Sequence, residues 1–531
     1  MLIGYVSDER YVALSDALLE FQRDGQMVCV VRSSPRGGVY AEIEPGEYVV
    51  TLVKDGFGSK SVRMTVDPQR PYQFRLLSDC ILGYVWPRAV KAGERSEFRV
   101  HSPEPYRLSL WRYGWKREFT KLLGWFDEHG PRAVMQITPD GDYTQTGVAW
   151  NKIGYASAHH TQFVTGPEKS GLYYLHAKGE QSGEFFSFPW VVAPKQPTAK
   201  IAVLASTNTW LAYNNFGGRS NYIHADHLPS TPTVNARIEL SRYNDPEFGT
   251  WNAEEYLPLS FDRPEPINHV PEGTGIDDPI EGRAACHVAP TEWRLLGWLE
   301  RSGFDYDLYA ETQLHEGVLD LDQYRVLVIS THPEYWSRTM YRAVKSWVNE
   351  RGGRLMYLGG NGLNCEVSLT DDGATMVAHN GDNRVLQANL AKYESRFGMR
   401  VESEANLLGV VYTETGVMTA APYRVERADH WVFSGTGVKN GDLFGRRSLH
   451  ERIPGGASGH ETDKITPSSP RGIVRLAKGL NPNEGGGEIT YYETPSGGAV
   501  FSVGSICWPS SLLVDDVVAG VTANVLRRFT Q

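Results

Sequence analysis

The strongest constraint on this fold is a change in apolar patterning near residue 197. Beyond it, Ile201-Ala202-Val203-Leu204-Ala205 and the run YRVLVIS (Tyr324 to Ser330) are nearly unbroken apolar stretches. A strand that is apolar throughout is buried on both faces, as in a parallel sheet covered by helices. Helical signals alternate with these runs. Trp293, Leu296 and Leu299 share one helical face over residues 291–302, which stops at Gly303. Ser337 can cap a helix to about Glu350, with Gly352-Gly353 beyond its end. Arg354 to Leu358 and Ala499 to Val503 read as further strands, and Pro509 to Phe529 as mostly helical. Strands alternating with helices predict an α/β domain with a mainly parallel sheet over residues 197–531. Its stretch from about 380 to 490 is Gly-rich and poorly periodic, which predicts extra strands and long loops.

Upstream the pattern is all-β. The chain has 531 residues, too many for one core at ~150 residues per domain. Met27 to Val31, Pro45 to Leu52 and Ser61 to Val66 are strand-like, with a hairpin signal at Lys54 to Gly58. They predict a small β-sandwich over residues 1–80. The run PGEYVVTLVKDGFGSKSVRMTV resembles the carboxypeptidase-regulatory-like type of sandwich, which implies packing or binding and no chemistry. Ala92 to Val100, Ser170 to Ala177 and Phe185 to Val192 have the turn-to-strand spacing of a second, immunoglobulin-like sandwich over residues 81–196. Pro194 to Pro197 is the linker.

Charge and composition exclude several classes. A formal charge of −10 disfavours a general nucleic-acid binder. No run approaches the ~18 apolar residues of a membrane span, and Asp8-Glu9 follows the N-terminus without a signal-peptide pattern. Neither nucleic acid nor membrane is an expected partner. The five cysteines, at 29, 80, 286, 365 and 507, form no CxxC. A reducing, cytoplasmic setting without a disulfide framework or thiolate zinc site is the expectation.

Open parallel sheets bind ligands beyond the carboxyl ends of their strands. Three segments follow such ends: Thr209 to Ser220, Thr331 to Ser337, and Gly359 to Gly362. The turn Thr331-His332-Pro333-Glu334 is the richest in chemistry. A capping carboxylate with a hydrogen-bonded His is one reading of it. A nucleophile elbow needs Ser or Cys at its apex, and this turn offers Pro-Glu-Tyr. No G-x-S-x-G or G-x-C-x-G occurs in the domain, so a hydrolase here needs another nucleophile, such as a metal-bound hydroxide. HExxH is absent. His159-His160 falls in the β-rich part and reads as structural. His224, Asp226 and His227 are either a ligand cluster or loop polars. Glu334 with phenols from elsewhere offers an all-oxygen site suited to a hard cation.

The segments NTWLAYNNFGGRSNY, YLPLSFDRP, LVISTHPEYWS, LGGNG, GHETD and FSVGSICWPSSL occur in this order. Together they resemble the large subunit of N,N-dimethylformamidase and its relatives, over roughly residues 197–531. The resemblance implies a glutamine-amidotransferase-like catalytic domain that lacks the Cys nucleophile. It implies a mononuclear iron, as Fe3+, held by two tyrosines and a glutamate. It implies hydrolysis of dimethylformamide to formate and dimethylamine. On this chain the ligands become Tyr213, Tyr256 and Glu334, with Tyr243 and Tyr222 as alternatives to Tyr256. His332 is the histidine beside the metal, Asn361 a substrate-contacting polar residue, and Glu461 a second carboxylate. A homo-oligomer is expected, and a separate small subunit is left open. Against the family's large subunit the chain is expected to be shorter by one β domain, and its N-terminal sandwich is of a different type, so for this chain the resemblance implies no particular amide.

The expected chemistry is amide hydrolysis by iron-activated water, with His332 or Glu461 moving protons. Two other readings remain open at this point. One is a non-catalytic carbohydrate or small-ligand binding protein. The other is an iron oxygenase, although its usual ligand set is two His and one carboxylate.

Overall fold

The computed structural model describes residues 1–126, 136–148, 150, 162–234, 253, 255–280, 284–370, 372–381, 386 and 394–531. It is mostly β-sheet with few helices. No helix among the described residues is long and apolar enough to cross a membrane.

Two small sheets come first. One joins Gly38–Tyr40, Leu2–Ser7 and Tyr72–Arg75. The other joins Gln26–Arg32, Leu18–Arg23, Gly46–Lys54 and Gly58–Val66. Alternate residues point inward, so Val6, Val39 and Phe74 of one sheet share a core with Phe21, Val50 and Leu52 of the other.

A second pair of sheets follows. Phe163–Thr165, Arg95–His101 and Leu82–Trp86 face a five-stranded sheet of Arg117–Phe126, Tyr106–Tyr113, Gly171–Gly179, Phe185–Ala193 and Ala89–Lys91. Strand Gly171–Gly179 is covered on both faces. Tyr173 and Leu175 pack between these two sheets, while Leu172 and Tyr174 join the core of the next unit. Tyr113 stacks on Tyr174 (centroids 4.2 Å apart) and meets Trp293 at 4.7 Å.

The apolar runs beyond residue 197 build a nine-stranded sheet. In chain order its strands are β1 (Ile201–Ala205), β2 (Asp307–Ala310), β3 (Val326–Thr331), β4 (Arg354–Gly359), β5 (Tyr423–Val425), β6 (Leu443–Phe444), β7 (Val474–Gly479), β8 (Glu488–Glu493) and β9 (Ala499–Ser502). Their spatial order is β2-β1-β3-β4-β9-β8-β7-β5-β6. The first five are parallel to their neighbours, and the remaining pairings are antiparallel. Every residue of β1 and β3 is buried, as their unbroken apolar runs require.

Helices α1 (Thr207–Tyr213), α2 (Ala289–Arg301), α3 (Arg338–Arg351) and α4 (Asp516–Phe529) connect or cover these strands. Helix α3 shows why. The Ser337 hydroxyl accepts from Met340 N–H, and Met340, Tyr341, Val344, Trp347 and Val348 form its buried stripe. Gly352, at φ +77°, ends it in the left-handed conformation. A small sheet of Leu259–Ser260, Thr375–His379, Cys365–Leu369 and Tyr335–Trp336 lies beyond the ends of β3 and β4. Tyr335 pairs with Cys365 in it, which draws the turn after β3 toward the segment after β4.

Candidate active site

Strand β3 ends at Thr331, whose φ of +64° is rare for a β-branched residue. The chain then presents His332 and Glu334, both shielded from solvent. The backbone N–H of Glu334 donates to Thr209 Oγ1 of α1 at 3.1 Å, fixing this turn against the end of β1. Strand β4 ends in Gly359-Gly360. A Cβ on Gly359 would lie 2.7 Å from the Thr331 carbonyl oxygen, and one on Gly360 2.5 Å from that of Glu461. Three segments therefore approach closely only because these positions lack side chains. Asn361 and His460 are also left-handed, at φ +49° and +62°. Backbone strain of ~1–3 kcal/mol per such residue gathers where a site must be held in one geometry.

The polar side chains converge. His332 Nε2 lies 3.2 Å from Glu334 Oε2 and 3.2 Å from Glu461 Oε2. Asn361 Nδ2 donates to Glu461 Oε2 at 2.9 Å, and its backbone N–H donates to Asp463 Oδ1 at 2.8 Å. His332 Nδ1 faces His287 Nδ1 at 3.2 Å. Burial opposes charge on His332, yet Glu461, Glu334 and Asp463 together raise its pKa above the ordinary value. Burial likewise opposes charge on Glu461, yet His332, His460 and the Asn361 hydrogen bond lower its pKa. Each of the two thus favours the charged form of the other.

Phenols form the other wall. Tyr213, at the end of α1, stacks on Tyr222 with centroids 3.9 Å apart, and its ring lies 4.2 Å from His287 and 5.6 Å from His332. The Tyr222 hydroxyl donates to Glu334 Oε2 and receives the Tyr335 hydroxyl proton at 2.9 Å. Arg396 Nη2 donates to Glu334 Oε1 at 2.8 Å. Tyr256 is buried in the apolar cluster that contains Tyr213, and it is hydrogen-bonded to Arg396. Burial raises the pKa of Tyr256 and Tyr222. Arg396 opposes this at Tyr256, while Glu334 adds to it at Tyr222.

Tyr213, His332, Glu334, Asn361 and Glu461 are thus gathered in one buried cluster, and Tyr256 adjoins it through Arg396. Tyr222, held in reserve on sequence grounds, is the phenol bonded directly to Glu334. Tyr243 and His159-His160 lie outside the described residues. His224 is buried, whereas His227 is exposed and pairs with Asp226 at 3.0 Å. Among the described residues no three or more His, Cys, Asp or Glu side chains are grouped to hold a metal ion. Residues 224–227 are therefore not a ligand cluster of that kind. Arg396, His287 and Tyr335 were not singled out in the sequence. Arg396 carried no motif signal, since 62 residues separate it from Glu334.

The donor chemistry fits the cation that the sequence resemblance implies. Glu334, Tyr213 and Tyr256 are buried oxygen donors with the half-buried Tyr222 beside them, and hard anionic oxygens suit a hard ion such as Fe3+. Phenols with raised pKa need such a cation to ionise.

Comparison with known proteins gives the site a context. The family model described as "N,N-dimethylformamidase beta subunit-like, C-terminal" matches residues 107–520. The N,N-dimethylformamidase beta subunit of Paracoccus aminophilus is 27% identical over 425 residues, covering 68% of this chain and 52% of that protein. That of an Alcaligenes species is 26% identical over 419 residues, with the same coverage. The chain spans about half the length of these relatives. Among solved structures, a DUF3823 family protein from Bacteroides ovatus aligns with 36% of this chain and 100% of its own at 11% identity, with a TM-score of 0.13. The match over most of the chain shows that it belongs to the N,N-dimethylformamidase beta subunit-like family.

Proposed function

We propose that this chain hydrolyses a small amide, N,N-dimethylformamide or a related N-substituted formamide, to a carboxylate and an amine. The observation that carries this reading is the position of His332 Nε2, 3.2 Å from each of two carboxylates in a buried site. The names of the two relatives supply the reaction class. Both are named as beta subunits, so a second type of subunit is part of the same proposal. The turn after β3 supplies no Ser or Cys, in keeping with a glutamine-amidotransferase-like scaffold that has lost its nucleophile.

Tyr213, Tyr256 and Glu334 would hold a ferric ion, with Tyr222 orienting Glu334 through its hydroxyl. Such an ion, when bound, supplies a Lewis acid that brings the pKa of water from ~16 toward neutrality. The remaining chemistry belongs to the chain. Glu461 stays ionised beside His332 and can take a proton from the attacking water. His332, whose Nε2 faces both carboxylates, can pass a proton to the departing amine, which leaves poorly without one. Asn361 Nδ2, 3.5 Å from His332 Nε2, is the neutral donor within reach of the amide carbonyl. The closed apolar surroundings of Tyr213 and Tyr335 exclude bulk water and strengthen these interactions.

The test is direct. Iron-supplied protein, expressed alone and together with its second subunit, is incubated with N,N-dimethylformamide, and formate and dimethylamine are quantified. Equimolar release by the wild type and its loss in Glu461→Gln are expected. No release by the wild type, or equal release by the variant, overturns the reading.

A further inference from the structure

Residues 1–80 lie outside the segment matched by the family model, yet they grip the loop that carries Tyr222. Arg75, at the end of strand Tyr72–Arg75, is fully buried. Its guanidinium lies over the rings of Tyr11 (5.1 Å) and Tyr143 (4.6 Å). Its donors reach three carbonyls from three separate segments: Asp8 (2.8 Å), Gly141 (3.0 Å) and Gly217 (2.9 Å). Gly217 belongs to the loop that leaves α1. The same loop is held at further points. The N–H of Gly217 donates to the Glu9 carbonyl at 2.6 Å. The Tyr11 hydroxyl donates to the Pro229 carbonyl at 2.7 Å, and Gln73 Nε2 to that of Ser230 at 3.0 Å. Thr233 N–H donates to the Tyr11 carbonyl at 3.0 Å, and Ala13 N–H to that of Thr233 at 2.8 Å. Contact is so close that a Cβ on Gly218 would lie 2.4 Å from Tyr11 Cβ. Between these anchors sits Tyr222, whose hydroxyl meets Glu334.

We propose that the N-terminal sandwich is a positioning element of the active site, and that Arg75 is its principal contact. It fixes the loop from Asn214 to Thr233 so that Tyr222 stays stacked on Tyr213 and bonded to Glu334. A buried guanidinium is stable only while its donors are satisfied, so Arg75 ties its three carbonyls together as one unit. The sandwich is then not a detachable ligand-binding module. This assignment rests on the reading of Glu334 as part of the reaction centre.

Amide hydrogen exchange of the full-length, metal-free protein tests it. In Arg75→Met, exchange of residues 214–223 should rise at least tenfold while that of β3 and β4 stays at the wild-type rate. Arg75→Lys, which restores a cation that can donate to some of these carbonyls, should recover part of the protection. Arg63→Ala, on the exposed face of the same sandwich, should change nothing. Unchanged exchange in Arg75→Met overturns the proposal, as does a rise of equal size across the whole chain. If Arg75→Met does not fold, Tyr11→Phe removes one loop contact and should raise exchange locally at residues 229–234. Unchanged exchange there would again overturn the proposal. Turnover is read separately. A local rise in exchange with wild-type turnover in Arg75→Met also overturns the positioning role. A wild-type protein that hydrolyses no amide instead fails the functional reading, because the exchange measurement requires no turnover.

Discussion

Arg396 Nη2 lies 2.8 Å from Glu334 Oε1, an ion pair closed almost entirely from water. It occupies one carboxylate oxygen and leaves Oε2 facing Tyr222 and His332. Glu334→Gln keeps an acceptor for Arg396 but strands its charge. Removing one partner of a buried pair costs ~3–5 kcal/mol, and the retained acceptor places this variant near the lower end. The expected outcome is a folded protein with a lower thermal midpoint, no bound iron and no turnover. Metal analysis checks it: full iron occupancy would reduce Glu334 to a turn-shaping carboxylate.

The phenols can be separated by colour. Phenolates on ferric iron give a charge-transfer band in the visible. Tyr213→Phe and Tyr256→Phe should each lose or strongly shift that band in iron-loaded protein. Tyr222→Phe should keep it, because the Tyr222 hydroxyl already donates its proton to Glu334. A band that survives Tyr256→Phe and vanishes in Tyr222→Phe would exchange the roles of these residues.

Much of this arrangement was legible in the sequence, for identifiable reasons. Strands β1 and β3 announce themselves because burial on both faces demands an unbroken apolar run. Ser337 and Gly352 mark the ends of α3 through capping chemistry that is local in the chain. His332, Glu334 and Asn361 were locatable because they sit in the turns that follow buried strands, whereas Glu461 was placed only through the family resemblance of GHETD. Arg396 and His287 were not, because their importance arises from contacts 62 and 45 residues away. Choosing among Tyr222, Tyr243 and Tyr256 likewise depends on how a long loop returns to β3, and no periodicity encodes that path. The clamp through Arg75 is the extreme case. Gly217 lies 142 residues from it, and neither residue is unusual in its local sequence.

Stability should depend on pH through a carboxyl away from the reaction centre. Glu292, on α2, is buried and accepts from Trp210 Nε1 at 2.9 Å and Ser206 N–H at 3.2 Å. Burial outweighs these bonds and pushes its pKa up to about 8. The folded state therefore holds a proton that the unfolded chain, with a carboxyl near ~4.3, releases. Stability from this group is fully present at acidic pH, falls as pH rises between those two values, and is flat above them. Glu292→Gln is neutral throughout and keeps an acceptor for both donors. Between pH 5 and 8 the wild-type thermal midpoint should fall more than that of the variant. Parallel midpoints would show that Glu292 is already ionised in the folded protein.

His332 and Glu461 should act as a unit. His332 Nε2 touches Glu461 Oε2 at 3.2 Å, and each favours the charged form of the other. His332→Ala should keep iron and colour while turnover falls ~10²–10⁴-fold, the usual loss when a general acid–base group is removed. Glu461→Gln should fall by a similar factor, since a neutral partner neither takes a proton nor supports the imidazolium. The double variant should then lose little beyond either single one, because each group's charged form depends on the other and groups that depend on each other are strongly non-additive. Rate constants of the four proteins form a cycle that measures this coupling. Losses that multiply would show two independent roles, and a loss of iron in His332→Ala would make the imidazole a metal ligand and leave the proton relay to Glu461.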